Sequence, residues 1–162
     1  MASIQEIEDK LAIHELEARY VHAADFGDVE GWVSCFTDDG VLEGTLFTLK
    51  GAKAFRDYLT KKAESVSQKS AGGIDHPFRH FATNIVTEVR GNQATAKVYH
   101  MMLQVLPQGI KVLTTGITTD ELLKVNGAWR IKHRKLKTAN DDWAKETLPG
   151  SYLDDLKKGA TK

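Results

Sequence analysis

Two residues of this chain, Asp25 and His80, are of the types that general acid–base catalysis uses. A carboxylate that accepts a hydrogen bond from one imidazole nitrogen orients the ring, and the other nitrogen can then take a proton from a substrate. The two residues lie far apart in the sequence, so a fold must bring them together. Together they would form general acid–base machinery.

Asp25 draws attention through its place on a predicted first helix over residues 4–25. At about 100° per residue, an apolar stripe runs along this helix and reaches Asp25. The stripe consists of Ile4, Ile7, Leu11, His14, Ala18 and Val21. A carboxylate buried on such a stripe must be paired or must shift its pKa, and His80 is the expected partner. Two simpler interpretations stay open: Asp25 lies at the solvated helix end, or it pairs with His22 one turn back.

The same helix has a defined start and a second apolar stripe. Ser3 and Glu6 form the pattern of a capping box, in which each satisfies an amide at the helix start. Ile13, Leu16, Tyr20 and Ala24 form the second stripe. A helix with two apolar faces is expected to be buried on both sides.

The remaining pattern predicts helices first and strands later. Asp28 would cap a short helical segment that ends at Phe36, residues 38–40 would form a turn, and residues 41–48 a small hairpin. A second long helix is expected from Gly51 to about Lys69. Four strands follow between residues 78 and 136, separated by turns of which 126–127 is the clearest.

This order predicts an α+β fold, with a strongly curved antiparallel sheet that forms a cone with the helices around a pocket. The domain is expected to span residues 1–138. The tail, residues 139–162, would be a pocket lid or an oligomer contact.

Strand alternation selects further pocket candidates. His100 shares a strand face with Val98 and Met102, so it is expected to point inward as either a core or a pocket histidine. For the strand of His80, both faces carry apolar residues, so alternation does not decide which one points inward. His133 would share a face with Trp129 and is expected to be structural. Trp32, Phe36 and Met102 are candidate apolar walls of the pocket, or plain core residues.

The composition excludes several classes of function. Lys and Arg together number 22, as do Asp and Glu, so a zero net charge gives no support for nucleic-acid binding. The single Cys35 excludes an internal disulfide framework and suits a reducing, cytoplasmic compartment. No apolar run is long enough to span a membrane. His76 and His80 are separated by Pro77, which disfavours a helical metal site, and we expect no metal and no cofactor.

The order of several segments resembles the SnoaL-like family of the nuclear transport factor two-like superfamily. The segments are residues 13–20 followed by Asp25, residues 32–40, Gly51-Ala52, residues 79–84 and residues 127–131. This family includes scytalone dehydratase, a bile-acid dehydratase, lindane dehydrochlorinase and polyketide cyclases. The resemblance covers nearly the whole chain and implies a cofactor-independent lyase or isomerase.

By the same resemblance, His80 is the general base and Asp25 orients it. Tyr20 matches a catalytic tyrosine of the dehydratases, and Arg134 matches an arginine found at the pocket in several members. Tyr20 lies about 140° from Asp25 on the helical wheel. Alternation places Arg134 opposite Trp129 unless a β-bulge re-aims it, which leaves a surface cation as an equal alternative.

The expected reaction is dehydration or a related elimination on a small, apolar, cyclic, polyketide-like or steroid-like substrate. Two alternatives stay open: a non-catalytic binding or oligomerising module like the small subunits of ring-hydroxylating dioxygenases, and an aldol-type polyketide cyclase. The strand over residues 114–123 carries apolar residues and threonines on both faces. It therefore favours a homo-oligomer, a dimer or a trimer.

Overall fold

The computed structural model describes residues 2–45, 47–68 and 76–138, with the side chains of residues 63–68 left aside. The elements are the helices α1 (Ile4–Phe26), α2 (Val29–Ser34) and α3 (Gly51–Gln68), and the strands β1 (Phe36–Glu43), β2 (Thr48–Lys50), β3 (Phe78–Arg90), β4 (Gln93–Leu106), β5 (Gly109–Val125) and β6 (Ala128–Thr138). The predicted α+β fold, the long second helix and the four late strands are confirmed. The proposed tail, residues 139–162, lies outside the described residues.

The six strands form one curved sheet in the order β2-β1-β6-β5-β4-β3. Strands β3 to β6 form an antiparallel meander, as the turn chemistry between them predicted. β1, however, pairs with β6 in parallel, so the sheet is mixed and not wholly antiparallel. Within the described part of the chain β2 and β3 are the two edges, and the sheet stays open.

Helix α1 buries one stripe only, and it is not the stripe that ends at Asp25. Ile4, Ile7 and Leu11 are exposed, whereas Ile13 and Leu16 of the second stripe are fully buried. The prediction of burial on both sides is therefore wrong. The sheet covers only the side of α1 that carries the second stripe. The helix start was correct, because the Ser3 hydroxyl accepts a hydrogen bond from the amide of Glu6 at 3.1 Å.

β-Bulges in β3 and β6 decide which residues of these two strands face the helices. In β3 the register shifts between Thr83 and Val86, where Asn84 adopts a left-handed conformation with φ of 51°. His80 therefore faces the helices before the bulge, while Val86 beyond it is exposed. We call this side of the sheet, against which α1 packs, the helix-covered face. The bulge explains why alternation could not select a face for this strand.

The second bulge lies in β6. Glu121 of β5 pairs with His133 and the next residue, Leu122, pairs with Ile131, so Lys132 is the extra residue. Trp129 and Ile131 face the core, but beyond the bulge it is Arg134 that does so. The prediction that His133 shares a face with Trp129 is therefore wrong: His133 is half-buried, and its Nε2 lies 3.1 Å from a carboxylate oxygen of Glu43.

Local turn predictions had mixed outcomes. Residues 38–40 belong to β1 and not to a turn; the register of β1 with β6 is irregular there. Val41 to Glu43 pair with residues 48–50, which confirms the small hairpin. Asn126 and Gly127 have φ values of 50° and 81°, as the type I′ turn requires.

The core lies between α1, α2, α3 and the sheet, and it is rich in aromatic rings. Trp32, Phe36 and Phe55 are buried in mutual contact, with ring centroids 4.3–5.7 Å apart. Among the described helices none is both long and apolar enough to cross a membrane.

Candidate active site

Asp25 and His80 meet at the end of α1. The Oδ1 atom of Asp25 lies 2.5 Å from Nδ1 of His80, and the backbone amide of His80 donates to Oδ2 at 2.9 Å. The side chain of Asp25 is 6% exposed and that of His80 is 20% exposed. One carboxylate therefore fixes both the strand position and the ring of His80, and it leaves Nε2 as the ring nitrogen available for chemistry.

The end of α1 places Asp25 at this point. Gly27 terminates the helix in a left-handed conformation with φ of 70°, and its amide donates to the carbonyl of Ala23. The last turn of α1 packs on the start of β3, so Asp25 is buried by the sheet although it belongs to the exposed stripe of the helix. The alternative pairing with His22 is not what the structure has, since both oxygens of Asp25 bond His80.

Burial sets the proton state of His80. It lowers the pKa of the imidazole, because the charged form loses hydration, and the charge of Lys62 adds to the lowering. The hydrogen bond and charge of Asp25 act in the opposite direction and only partly compensate. The ring is therefore neutral at neutral pH. With Nδ1 beside a carboxylate, its proton belongs on Nδ1, and Nε2 keeps a free lone pair.

His100 lies beside this pair on the helix-covered face, as predicted. In the ladder His80 faces Met102, so His100 is a diagonal cross-strand neighbour of His80, with Cα atoms roughly 7–8 Å apart. Both ring nitrogens of His100 are buried, and neither has a hydrogen-bond partner among the described residues. Burial, together with the charges of His80 and Arg134, lowers the pKa of His100 to about 4.

A glycine makes the room for His100. Gly116 lies directly opposite it in the ladder, and a Cβ atom built on Gly116 would lie 2.4 Å from Cε1 of His100. The same Cβ atom would lie 2.1 Å from the carbonyl oxygen of Lys137. A larger residue at this position would therefore displace the imidazole or the neighbouring strand.

Tyr20 connects the helix to the aromatic core. Its ring centroid lies 5.4 Å from that of Trp32 and 5.8 Å from that of Phe36. Trp32 and Phe36 are deeply buried, so they are core residues. The Nε1 atom of Trp32 is buried without a hydrogen-bond partner in the described part of the chain. Met102 is half-buried opposite His80. Tyr20 lies on the stripe of α1 that the sheet covers, whereas Asp25 lies on the other stripe and meets the sheet at the end of the helix, where it bonds His80.

Arg134 is fully buried and not a surface cation. Its Nε and Nη2 atoms each donate to an oxygen of Asp120 at 2.8 Å, and Nη2 also donates to Glu17. The guanidinium carbon lies 4.1 Å from the centroid of the Tyr20 ring. Asp120 faces Arg134 directly in the β5–β6 ladder, so the bulge in β6 creates the pairing.

Sequence reasoning missed Glu17 and Asp120. The signal for Glu17 was present, because it follows Leu16 and lies between Ile13 and Tyr20 on the stripe that is buried. Asp120 gives no such signal, since the sequence predicts a strand with apolar residues and threonines on both faces. In the structure β5 buries Thr118, Asp120 and Leu122 and exposes the alternate residues. No cluster of three or more metal-ligating side chains occurs among the described residues.

Comparison with protein families gives one match over most of the chain. The model of the SnoaL-like domain matches residues 5–135, which includes every described element up to the middle of β6. No curated protein matches the chain.

Solved structures share this fold. A protein of unknown function from Mycobacterium tuberculosis is 28% identical, with a TM-score of 0.78 over 96% of this chain and 92% of that one. A nuclear transport factor two-like protein with a cystatin-like fold from Novosphingobium aromaticivorans is 22% identical, with a TM-score of 0.72 over 92% and 99% of the chains. A candidate scytalone dehydratase from the same organism is 20% identical, with a TM-score of 0.65 over 82% and 85%. At these identities the last two show the fold alone.

Proposed function

The chain belongs to the SnoaL-like domain family, and we propose that it is a cofactor-independent lyase or isomerase in which His80 is the general base. The observation that carries the proposal is the Asp25–His80 pair, held through the ring at 2.5 Å and through the backbone amide at 2.9 Å. A domain of this fold that only binds a ligand or forms an oligomer needs no such pair.

The proposed reaction is elimination of water from a small hydroxylated cyclic ketone. Nε2 of His80 removes a proton from the carbon beside the carbonyl, and the electron pair of that C–H bond forms a carbon–carbon double bond as the C–O bond breaks. The leaving oxygen takes this proton back from the His80 imidazolium and departs as water, which returns His80 to its neutral form. Asp25 stabilises the imidazolium that forms, because its carboxylate already accepts the Nδ1–H bond.

The substrate oxygen atoms that gain negative charge during the reaction need hydrogen-bond donors. Tyr20 is the proposed donor from the helix side, and His100 from the sheet side. A neutral imidazole keeps one N–H, and the low pKa of His100 means that it donates without carrying a charge. The ring nitrogens of His100 have no hydrogen-bond partner among the described residues, which supports this role, because a buried polar atom without a partner is costly unless a ligand satisfies it.

Apolar groups around these donors favour an apolar ring as substrate. Met102 pairs with His80 across the β3–β4 ladder, and the Tyr20 ring packs against the rings of Trp32 and Phe36. Apolar walls with a few convergent polar atoms are typical of small-molecule pockets. An aldol-type cyclase would use the same base on a related polyketide, so such compounds belong in the same screen.

The proposed assembly is a homo-oligomer formed through the other face of the sheet. We call the exposed set of Phe81, Tyr99 and Ile117 the outer patch; their exposed fractions lie between 44% and 52%. Tyr99 and Ile117 are direct partners in the β4–β5 ladder, and Phe81 is diagonal to Tyr99 on β3. Three adjacent large apolar side chains on one sheet face are typical of a subunit contact.

The experiment is a screen of hydroxylated cyclic ketones, steroids and linear polyketide mimics, with loss of water followed by mass spectrometry. A positioned base contributes about 10²–10⁴ in rate, so His80→Ala should lose about that much turnover on any compound that the native protein converts. His14→Ala, an exposed histidine of α1, is the matched control and should keep full activity. Equal turnover by His80→Ala, or no conversion of any compound by the native protein, would refute the proposal.

A further inference from the structure

A buried cluster of three ionisable residues lies directly behind Tyr20. We call Glu17, Asp120 and Arg134 the ion cluster; their side chains are 1%, 0% and 3% exposed. Asp120 binds Arg134 with both carboxylate oxygens, a bidentate geometry that leaves none of its oxygens without a donor. Glu17 contacts Arg134 through Oε2 only.

The second oxygen of Glu17 marks an imbalance in the cluster. Oε1 is buried, and no described residue gives it a hydrogen bond. With both acids ionised, the cluster would hold two negative charges against one positive charge out of reach of water. An uncompensated charge in the interior is strongly disfavoured, so such a group takes up a proton instead.

The groups that surround Glu17 favour the neutral acid. Arg134 of β6 lowers the pKa of Glu17, but burial raises it more, and the nearby charge of Asp120 on β5 raises it further. Tyr20 on α1 and the thiol of Cys35 are the other titratable neighbours, and burial raises the pKa of both. Neither therefore supplies a charge that would stabilise an ionised Glu17 at neutral pH.

Arg134 also touches a group proposed to meet the substrate. Its guanidinium carbon lies 4.1 Å from the ring centroid of Tyr20. Burial raises the pKa of the Tyr20 phenol, Arg134 lowers it, and negative charge on Asp120 or Glu17 raises it. When Glu17 carries a proton, only the negative charge of Asp120 therefore opposes the effect of the Arg134 cation on the pKa of Tyr20.

From this geometry we propose that Arg134 is a positioning residue for Tyr20 and not a ligand of the substrate. Asp120 and a protonated Glu17 hold the guanidinium against the phenol ring, and the cation makes the Tyr20 hydroxyl a stronger hydrogen-bond donor. This inference rests on the proposed function in one respect only, which is that the Tyr20 hydroxyl donates its hydrogen bond to a substrate. The arrangement itself exists in the unliganded protein and can be tested there.

The test is carbon-13 NMR on protein labelled at the glutamate carboxyl and tyrosine Cζ carbons, without substrate. Glu17→Gln and Tyr20→Phe identify the two resonances by their loss. We expect the Glu17 carboxyl to have the chemical shift of a protonated acid at neutral pH. Glu15→Gln, an exposed change on the same helix, is the matched control and should leave both signals in place.

The variants separate the proton on Glu17 from the cation on Arg134. Glutamine has the shape and charge of a protonated glutamate, so Glu17→Gln should fold, and it should not raise the Tyr20 titration, because it adds no negative charge beside the phenol. The double variant Asp120→Asn with Arg134→Gln removes the cation and its counter-charge together, and it should move the Tyr20 titration upward.

Three results would overturn the inference: an ionised Glu17 at neutral pH, an unfolded Glu17→Gln protein, or a Tyr20 titration that does not rise in the double variant. None of these results depends on turnover. A failure here with an active native enzyme would therefore leave the role of His80 intact, and a correct titration with no activity in the screen would refute only the proposed reaction.

Discussion

Asp25 holds His80 twice, because one carboxylate oxygen lies 2.5 Å from Nδ1 of the ring and the other accepts the backbone amide of the same residue at 2.9 Å. A single contact would orient the ring but leave the strand free to shift. With both contacts, the ring and its Cα atom have a fixed relation to the end of α1. Such preorganisation is what a general base needs, since small errors in position are costly in rate.

Asp25→Asn should be mild for the fold and severe for catalysis. The asparagine carbonyl can still accept the His80 amide, but its NH₂ group then faces Nδ1 and moves the ring proton to Nε2. The lone pair that takes the substrate proton is lost, so we expect kcat to fall about 10²–10⁴-fold with a small change in Tm. Asp57→Asn, an exposed change on α3, serves as the control in the same steady-state assay. Unchanged kcat in Asp25→Asn would contradict the pairing as an active arrangement.

The pH dependence of kcat/KM should report His80. Because burial lowers its pKa below the ordinary value of 6.5, the base stays unprotonated through neutral pH. We expect a plateau at neutral pH and an acid limb of unit slope with its midpoint below 6.5. The measurement is kcat/KM across the acid range on a substrate found in the screen. A midpoint above 6.5 would mean that the charge of Asp25 outweighs burial.

Stability should fall in mild acid because of His100. Its pKa is about 4 in the folded protein and about 6.5 when unfolded, so the unfolded chain takes the proton first. The contribution of the neutral His100 to the free energy of unfolding is fully present above about pH 6.5 and is lost progressively as the pH falls toward 4. His80 acts in the same direction. In urea unfolding at about pH 7.5 and about pH 5, the loss of free energy of unfolding should be smaller in His100→Gln than in the native protein. Equal losses would refute the assignment to His100.

The outer patch should mediate self-association. Ile117→Lys places a charge within the patch without touching the core, so we expect a dimer or trimer to become a monomer with an unchanged circular dichroism spectrum. Leu11→Lys, on the exposed stripe of α1, is the matched control because it replaces an exposed apolar residue elsewhere. Light scattering after size exclusion measures the mass. A native monomer, or an Ile117→Lys oligomer, would contradict the proposal.

Much of the fold followed from local chemistry. The cap at Ser3, the turn at Asn126-Gly127 and the order of helices and strands required only short-range rules, and the structure has them. The face of the sheet on which each strand side chain lies was harder to predict, since the bulges at Asn84 and Lys132 invert strand alternation. A bulge results from pairing between strands, and one sequence alone does not reveal it.

The pairing of Asp25 was expected for a reason that the structure does not support. The stripe that led to it is exposed, and the buried carboxylates of α1 on the other stripe are Asp9 and Glu17. Asp25 is buried by the start of β3 and not by its own helical stripe. Arg134 could not be assigned from the sequence either, because its burial depends on the bulge and on Asp120, a partner in another strand.

The central claim is that burial keeps His80 neutral, and that Asp25 holds its proton on Nδ1 and so leaves a free lone pair on Nε2. Nitrogen-15 NMR of the labelled imidazoles at neutral pH measures this directly, with His80→Ala to identify the resonance. We expect His80 to show a protonated Nδ1 and an unprotonated Nε2, and Asp25→Asn to reverse the two. A doubly protonated His80 at neutral pH, or a native ring with its proton on Nε2, would contradict the account.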